Sequence, residues 1–251
     1  MAVNIYNDSI GGCYIGNDVV SAIYQGNEKL YPTHKFRATY LSGETMAIDC
    51  DNDTTLTTAV TRNNTAAHYT SMTSAEIGGC INTIGEFCFS YMQYLSSITM
   101  SDSVETLSSY ALMLGEYKPV ELKLSKNIKY IGANGLNGIR VNTSLEFPNL
   151  VSAGDYFLWV GKYNSLENVV IGDKITTIGN YFLYIDNSSF DKEVLKTLTI
   201  YATTPPTLGS NAFVNNNANL TIYVPAESVN AYKTATNWSA YASRIQAIPN
   251  N

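Results

Sequence analysis

The chain repeats one short phrase, whose clearest copy is INTIG at residues 81–85. The phrase returns as IKYIG at residues 128–132 and as ITTIG at residues 175–179. Weaker copies begin at Val104, Leu150 and Pro205. The six starts, at 81, 104, 128, 150, 175 and 205, are separated by 23, 24, 22, 25 and 30 residues. A nearly constant period of this length indicates a chain built from stacked structural units.

A second phrase of the form L-x-x-L-x-L falls between the copies of the first, as LSSITM (95–100), LENVVI (166–171) and LKTLTI (195–200). Degenerate copies centre on Ala75, Leu122, Leu145 and Leu220. Together the phrases predict a β-rich leucine-rich-repeat solenoid with about seven coils of 22–30 residues. Strand alternation should turn Ile98 and Met100 inward and Ser97 and Thr99 outward. A solenoid presents an extended surface, which favours binding over catalysis.

Each repeat should close with a tight corner and an apolar plug. In I-x-x-I-G the two apolar residues should point inward, and the glycine should permit a tight corner or a positive φ. An apolar residue follows shortly after the glycine and is expected to fill the interior. These expected plugs are Phe87, Tyr110, Tyr156, Phe182 and Phe213.

The repeats divide the chain into four predicted segments. Residues 1–34 form an N-terminal module with a β-hairpin around Gly26-Asn27, and a hairpin this small must pack on the solenoid, on a second subunit or on a larger assembly. Residues 35–73 form an N-terminal cap, which protects the first coil of a solenoid. Residues 74–224 hold the repeats. Residues 225–251 form a short helical C-terminal cap that should lay aromatic side chains over the last coil, followed by a final strand.

The charge and hydropathy of the chain restrict the classes of partner that it can bind. A formal charge of -6 and a pI near 4.9 disfavour nucleic acid, because no basic stripe would neutralise phosphates. No apolar run reaches the length of a membrane span, so membrane insertion is not expected. The first residues, MAVNIYNDSIGG, lack the basic and apolar regions of a signal peptide. We therefore expect either a mature chain with an added Met, or a chain that is made in the cytosol and leaves the cell by another route, such as assembly into a particle.

The sequence contains few motifs of catalytic or metal-binding sites. The four cysteines, at 13, 50, 80 and 88, show no C-x-x-C pair; four partly buried thiols are favoured, with a Cys80–Cys88 bridge as the alternative. The acidic run Asp49, Asp51 and Asp53 favours a polar turn over a Ca²⁺ site, because an EF-hand loop needs a glycine and a distant glutamate. No motif of a nucleophile, metal protease or phosphate loop occurs. The sequence therefore predicts no enzyme, no cofactor and no metal site.

Two sets of residues are candidates for contact with a ligand or with other subunits. Aromatic residues gather between the strands, and the repeat after ITTIG carries an insertion, a place where repeat proteins often bind. The candidate ligand contacts are Trp159, Tyr163, Asp186 and Phe190. The candidate assembly contacts in the N-terminal module are Ile15, Val20, Ile23, Tyr24 and Tyr31. The outer face of the L-x-x-L-x-L strands is small and polar, so a solvated face is favoured there.

Three stretches resemble the BspA-type leucine-rich repeats common in surface proteins of gut and oral Bacteroidetes. These stretches are ITTIGNYF (175–182), ATTPPTLGSNAF (202–213) and LTIYVPAESVNAYKTATNWS (220–239). The resemblance spans about residues 36–248 and implies a non-catalytic adhesive or recognition role toward host proteins or glycans. The stretch VVSAIYQGNEKLYP (19–32) also resembles short modules of structural and tail-associated proteins of Bacteroidales phages.

Two functions follow as expectations. The first is a phage virion component, in the tail, fibre or head surface, that attaches to other virion proteins or binds a host cell-surface protein or glycan. The second is a secreted or surface BspA-like adhesin. A glycan hydrolase is a remote third alternative, because any two acidic residues can meet in space. In the first two cases we expect a homo-oligomer or a place in a larger assembly, at the virion surface or the bacterial cell surface.

Overall fold

The computed structural model describes residues 14–15, 18–19, 23–25, 28–31, 34–62, 71–114, 120–139, 142–160, 165–185, 195–214 and 219–250. These residues are rich in strands and parallel sheets, as a leucine-rich-repeat fold requires. The helices among them are Thr58–Arg62, Ala226–Ser228, Val229–Thr234 and Trp238–Arg244. None of these described helices has the length and apolar character needed to cross a membrane.

The I-x-x-I-G phrases form a seven-stranded parallel sheet, here called the corner sheet. Its strands are Thr55–Leu56, Thr83–Ile84, Thr106–Leu107, Tyr130–Ile131, Ser152–Ala153, Thr177–Ile178 and Thr207–Leu208. Each strand pairs with the equivalent strand of the next repeat, for example Leu107 with Ile131. Leu56 pairs with Ile84, so this sheet begins before the first phrase recognised in the sequence.

The L-x-x-L-x-L phrases form two further sheets. The N-terminal face sheet contains, in order, Glu121–Lys123, Ser97–Met100, Met72–Ile77, Phe36–Tyr40 and Thr45–Ile48. The C-terminal face sheet contains Asn142–Phe147, Ser165–Ile171, Thr197–Ile200, Thr221–Val224 and Ile245–Ala247. The repeat strands pair in parallel, whereas Phe36–Tyr40 pairs antiparallel with both of its neighbours. Leu158–Val160 and Leu183–Ile185 form a small parallel sheet.

The core lies between the corner sheet and the face sheets. Ile98 and Met100 are buried, as the strand alternation predicts. The inward position of the corner strands is buried in all seven, from Leu56 to Leu208. One continuous set of apolar side chains therefore runs through the described repeats. Its burial supplies most of the favourable free energy of folding.

The corner glycines serve close backbone packing, and the alternative of a positive φ is wrong. A Cβ on Gly132 would lie 2.6 Å from the backbone nitrogen of Ser109 in the preceding repeat. A Cβ on Gly179 would lie 2.5 Å from the nitrogen of Asp155. At these two corners a hydrogen lets neighbouring repeats approach to the spacing of a parallel sheet, about 4.8 Å, whereas the corner after Leu107 accommodates Ser108.

The N-terminal end holds antiparallel pairs. Tyr14–Ile15 pairs with Asp18–Val19, and Ile23–Gln25 pairs with Glu28–Tyr31 on either side of Gly26-Asn27 in the sequence. Cys50 and Cys80 form a disulfide, which corrects both the expectation of four thiols and the alternative Cys80–Cys88 bridge. Sequence could not reveal this pair, because the strands around it bring together residues thirty positions apart.

A helical segment follows the last repeat strand of the described chain. Trp238 and Tyr232 are fully buried, and their rings meet edge to face at a centroid distance of 4.9 Å. Trp238 Nε1 donates a hydrogen bond to the Pro206 carbonyl, and the Tyr232 hydroxyl donates to the Ala202 carbonyl. Both bonds reach back to the preceding repeat, so the aromatic side chains seal its apolar interior without leaving a buried polar atom unbonded.

Candidate functional site

Two residues beyond each corner glycine, or its Ser108 equivalent, the backbone turns into the left-handed region. We call these six positions the outer row; they are Phe87, Tyr110, Asn134, Tyr156, Tyr181 and Asn211. Their φ angles lie between 49° and 58°. A left-handed conformation is costly for a bulky residue, so its regular use for aromatic residues marks a turn held firmly by the surrounding repeats.

The next residue along the chain is buried in every repeat. We call these six positions the inner row; they are Cys88, Ala111, Gly135, Phe157, Phe182 and Ala212. The predicted plugs Phe182 and Phe213 are indeed buried. The prediction is wrong for Phe87, Tyr110 and Tyr156, which belong to the outer row. Phe87 is 40% exposed, because the left-handed turn directs its side chain away from the core.

Aromatic side chains of the outer row stack on one another from repeat to repeat. Phe87 and Tyr110 lie 4.8 Å apart between ring centroids, with an angle of 7° between their planes. Tyr156 and Tyr181 lie 4.7 Å apart, with an angle of 9°. These separations match the spacing of neighbouring parallel strands, so the backbone sets the stacking distance.

A second layer of aromatic rings lies against the Tyr156–Tyr181 pair. Tyr184 meets Tyr156 at 6.0 Å and Tyr181 at 6.1 Å, both edge to face. Trp159 meets Tyr184 at 5.4 Å in the same manner, and the two residues are partners in the small parallel sheet. We call Tyr156, Trp159, Tyr181 and Tyr184 the aromatic cluster. All four side chains are half-buried, so their rings are partly available to a partner.

Trp159 is the one predicted ligand contact in the described chain. Its indole Nε1 is buried and has no hydrogen-bond acceptor among the described residues. Tyr163, Asp186 and Phe190 lie outside the described residues and stay predictions. Among the predicted assembly contacts, Ile15, Ile23, Tyr24 and Tyr31 lie in the short antiparallel strands, and Val20 lies outside the described residues.

A row of polar groups supports the aromatic cluster. Asp155 Oδ1 accepts a hydrogen bond from the Asn180 backbone nitrogen at 2.7 Å, and the Asn180 amide also donates to this carboxylate. Asn180 Oδ1 in turn accepts from the backbone nitrogen and hydroxyl of Ser210. Burial raises the pKa of Tyr156, and Tyr181, Tyr184 and Asp155 raise it further. The Tyr156 hydroxyl is therefore protonated at neutral pH and is able to donate a hydrogen bond.

A second exposed aromatic group lies in the N-terminal half. Tyr91 is 56% exposed and Tyr94 is 41% exposed, in the same repeat as Phe87. Tyr91 also has a positive φ and donates its backbone N–H to the Met113 carbonyl of the next repeat. Phe87, Tyr91 and Tyr94 therefore expose three aromatic rings in one repeat.

The outer face of the two face sheets carries mainly polar side chains, in contrast to the aromatic side chains of the outer row. Ser97 lies between Ser74 and Glu121, and Thr99 lies between Glu76 and Lys123. In the C-terminal face sheet, Thr197 is aligned with Thr221 and Thr199 with Tyr223. Tyr223 is therefore an outward residue of this sheet. Apart from Tyr223, and from Arg37, whose guanidinium lies 3.6 Å from the Glu76 carboxylate, these side chains are mostly small and polar, as suits a solvated sheet face more than a tight protein interface.

The acidic run 49–53 makes structural contacts. Asp51 Oδ2 accepts a hydrogen bond from the buried Lys35 Nζ at 2.7 Å, and its Oδ1 accepts from the Asp53 backbone nitrogen. The hydrogen bond from Lys35 holds the pKa of Asp51 below its usual value. Asp53 Oδ1 accepts from the Thr55 nitrogen. Within the described residues, no three His, Cys, Asp or Glu side chains meet in an arrangement suited to a metal ion.

The comparisons with known proteins address the repeat region. A sequence model described as "BspA type Leucine rich repeat region" matches residues 61–184 in six copies. The matched region contains the aromatic cluster and the outer row from Phe87 to Tyr181. No curated protein matches the chain.

Proposed function

Since this chain is a BspA-type leucine-rich repeat protein, we propose that it is a non-catalytic recognition protein that binds its partner through the outer row and the aromatic cluster. The proposal includes one continuous solenoid of about seven coils, which the seven-stranded corner sheet supports. Leucine-rich repeats of this kind suit recognition, because stacked units present one extended surface.

The stacked, half-exposed outer row is the observation that carries the proposal. A protein that needed only stability would gain little from aromatic side chains at left-handed positions, where asparagine or glycine is less strained. Asn134 and Asn211 demonstrate that the same turn accepts asparagine. Phe87, Tyr110, Tyr156 and Tyr181 are therefore better explained by contact with a partner, for which tyrosine supplies large area at low cost in side-chain entropy.

A binding comparison tests this proposal. A triple variant, Tyr110→Asn, Tyr156→Asn and Tyr181→Asn, should lose binding of the labelled protein to its target surface, with bacterial cells and mucin-coated plates as the two surfaces tested. A matched triple variant of the polar sheet face, Thr99→Ser, Thr197→Ser and Thr199→Ser, should bind as the unmodified protein does. Equal binding by the aromatic variant, or loss only in the threonine variant, would place recognition elsewhere.

We also propose that the protein is a virion component, in a tail, fibre or head surface, whose residues 1–34 attach it to other virion proteins. The short antiparallel pairs in residues 14–31 support this, because they join none of the parallel repeat sheets in the described chain. A chain without residues 1–34 should stay folded but fail to enter particles. Particles that incorporate the truncated chain at normal levels would contradict the attachment role.

A surface or secreted adhesin is a second candidate, which the Cys50–Cys80 disulfide supports as well as it supports a virion protein. Disulfides persist in oxidising surroundings, at cell and virion surfaces and in secreted proteins. Brief protease treatment of intact producing cells should digest an adhesin and spare an intracellular virion precursor. Recovery of the chain in purified particles, with none at the surface of producing cells, would eliminate the adhesin.

A further inference from the structure

The outer row lacks one aromatic ring near its centre. Phe87 and Tyr110 stack as one pair and Tyr156 and Tyr181 as another, while Asn134 occupies the repeat between the pairs. Backbone hydrogen bonds fix this order. The Tyr110 nitrogen donates to the Ala133 carbonyl at 2.9 Å, and the Asn134 nitrogen donates to the Asp155 carbonyl at 2.9 Å. Asn134 therefore lies one repeat from Tyr110 and one repeat from Tyr156.

The resulting gap has two aromatic walls. Tyr110 covers Phe87 with one ring face and turns its other face toward the Asn134 repeat. Tyr156, stacked on Tyr181, turns its free face toward the same repeat from the opposite side. Two strand spacings separate the walls, about 9.5 Å. One ring of ordinary thickness inserted between them would lie about 4.7 Å from each wall, the separation already seen within both pairs.

The side-chain amide of Asn134 forms the floor of the gap. Asn134 Oδ1 accepts a hydrogen bond from Asn137 Nδ2 at 2.8 Å and keeps a second lone pair. Asn134 Nδ2 has no hydrogen-bond acceptor among the described residues, and the side chain is half-buried. Asparagine is shorter than tyrosine, so the space at ring height between the two walls is not filled by the side chain of this repeat.

We propose that this gap is a carbohydrate subsite that binds one pyranose ring with equatorial hydroxyls, of the gluco configuration. Such a ring carries axial C–H groups on both faces, which suit stacking between two tyrosine faces. Its edge carries hydroxyls that pair with the donor and acceptor of the Asn134 amide. An aromatic side chain would fill the same gap but would leave that amide without a polar partner. The inference rests on the proposed recognition role and names the ligand class of that surface.

Titration with defined oligosaccharides tests the subsite on the full chain. The probe is a β-1,4-linked glucose tetramer, and the control is the β-1,4-linked mannose tetramer, whose axial hydroxyl obstructs stacking on one face. Ligand-observed NMR and calorimetry should detect binding of the glucose tetramer, with the mannose tetramer weaker by about tenfold. Absence of glucose-tetramer binding, or equal binding of the two tetramers, would overturn the proposal.

Two substitutions make the test specific to the gap. Asn134→Tyr should fill the gap with a third ring and abolish binding, while the thermal unfolding midpoint stays near that of the unmodified protein, because tyrosine already occupies this conformation at Tyr110. Thr99→Tyr is the control; it adds a tyrosine ring on the polar face of the N-terminal face sheet, away from the gap and the outer row, and should bind normally. If Asn134→Tyr binds as the unmodified protein does, the subsite is wrong. Loss of cell binding in the outer-row variants without any oligosaccharide binding would refute this inference and leave the recognition role intact.

Discussion

Tyr181 and Phe182 are neighbours in the chain, yet they belong to two different surfaces. Tyr156 and Tyr181 stack in the outer row at 4.7 Å, and Phe157 and Phe182 stack in the inner row at 4.6 Å. The strand spacing sets the same separation in both rows, but only the inner row is fully buried. The difference teaches that one repeat geometry produces both a buried core and a half-exposed aromatic surface, because the left-handed backbone of the outer-row residue turns its side chain away from the core.

The largest expected effect is on the inner row. Phe182→Ala should lower the free energy of unfolding by about 3–5 kcal/mol, because it leaves a cavity in a closely packed interior. Denaturant unfolding followed by circular dichroism measures the loss. A change below about 1 kcal/mol, within the range of an ordinary surface substitution, would mean that the inner row does not stabilise the fold more than the outer row does.

The disulfide should have the next largest effect. A double variant, Cys50→Ser and Cys80→Ser, should lose about 2–4 kcal/mol of stability, since the bond restricts the unfolded chain between two distant strands. Thermal unfolding with and without reductant checks this. Reductant should lower the midpoint of the unmodified protein and leave that of the double variant unchanged. Identical midpoints for all four samples would contradict the assigned bond.

The outer row should matter less for stability. Tyr181→Asn should cost only about 1 kcal/mol, because it removes one stacking contact but suits the left-handed turn. Asn134 and Asn211 are the natural precedents for this change. Denaturant unfolding beside Phe182→Ala provides the comparison. Equal losses in the two variants would erase the distinction between the rows.

Much of the repeat architecture could be predicted from the sequence. The period, the inward residues Ile98 and Met100, and the helical segment carrying Trp238 follow from patterns of apolar residues. The outer row could not be predicted in this way. Tyr156 and Phe157 are both apolar enough for a core, and nothing in the pattern marks a positive φ. The repeated spacing between Phe87, Tyr110, Tyr156 and Tyr181, always two residues after the corner position, is the signal that was available.

The smallest expected effect is the pH dependence of stability that comes from the Asp51–Lys35 pair. The pKa of Asp51 is lowered in the folded protein by the hydrogen bond from Lys35, so its ionised form stabilises the fold. That contribution is complete above the ordinary carboxyl value of 3.8 and is lost as the pH falls through the lower folded value. Unfolding between about pH 2 and pH 6 should show this loss. Asp51→Asn should show a weaker dependence; an identical profile would remove Asp51 from the account.

The most direct test measures binding and stability together in two neighbouring variants. Tyr181→Asn should keep most of its stability and lose binding to the target surface. Phe182→Leu, a milder inner substitution that stays folded, should lose stability and keep binding when both are assayed below its unfolding transition. This opposite behaviour of adjacent residues is the predicted result. Full binding by Tyr181→Asn together with lost binding by folded Phe182→Leu would contradict the claim that the outer row recognises the partner.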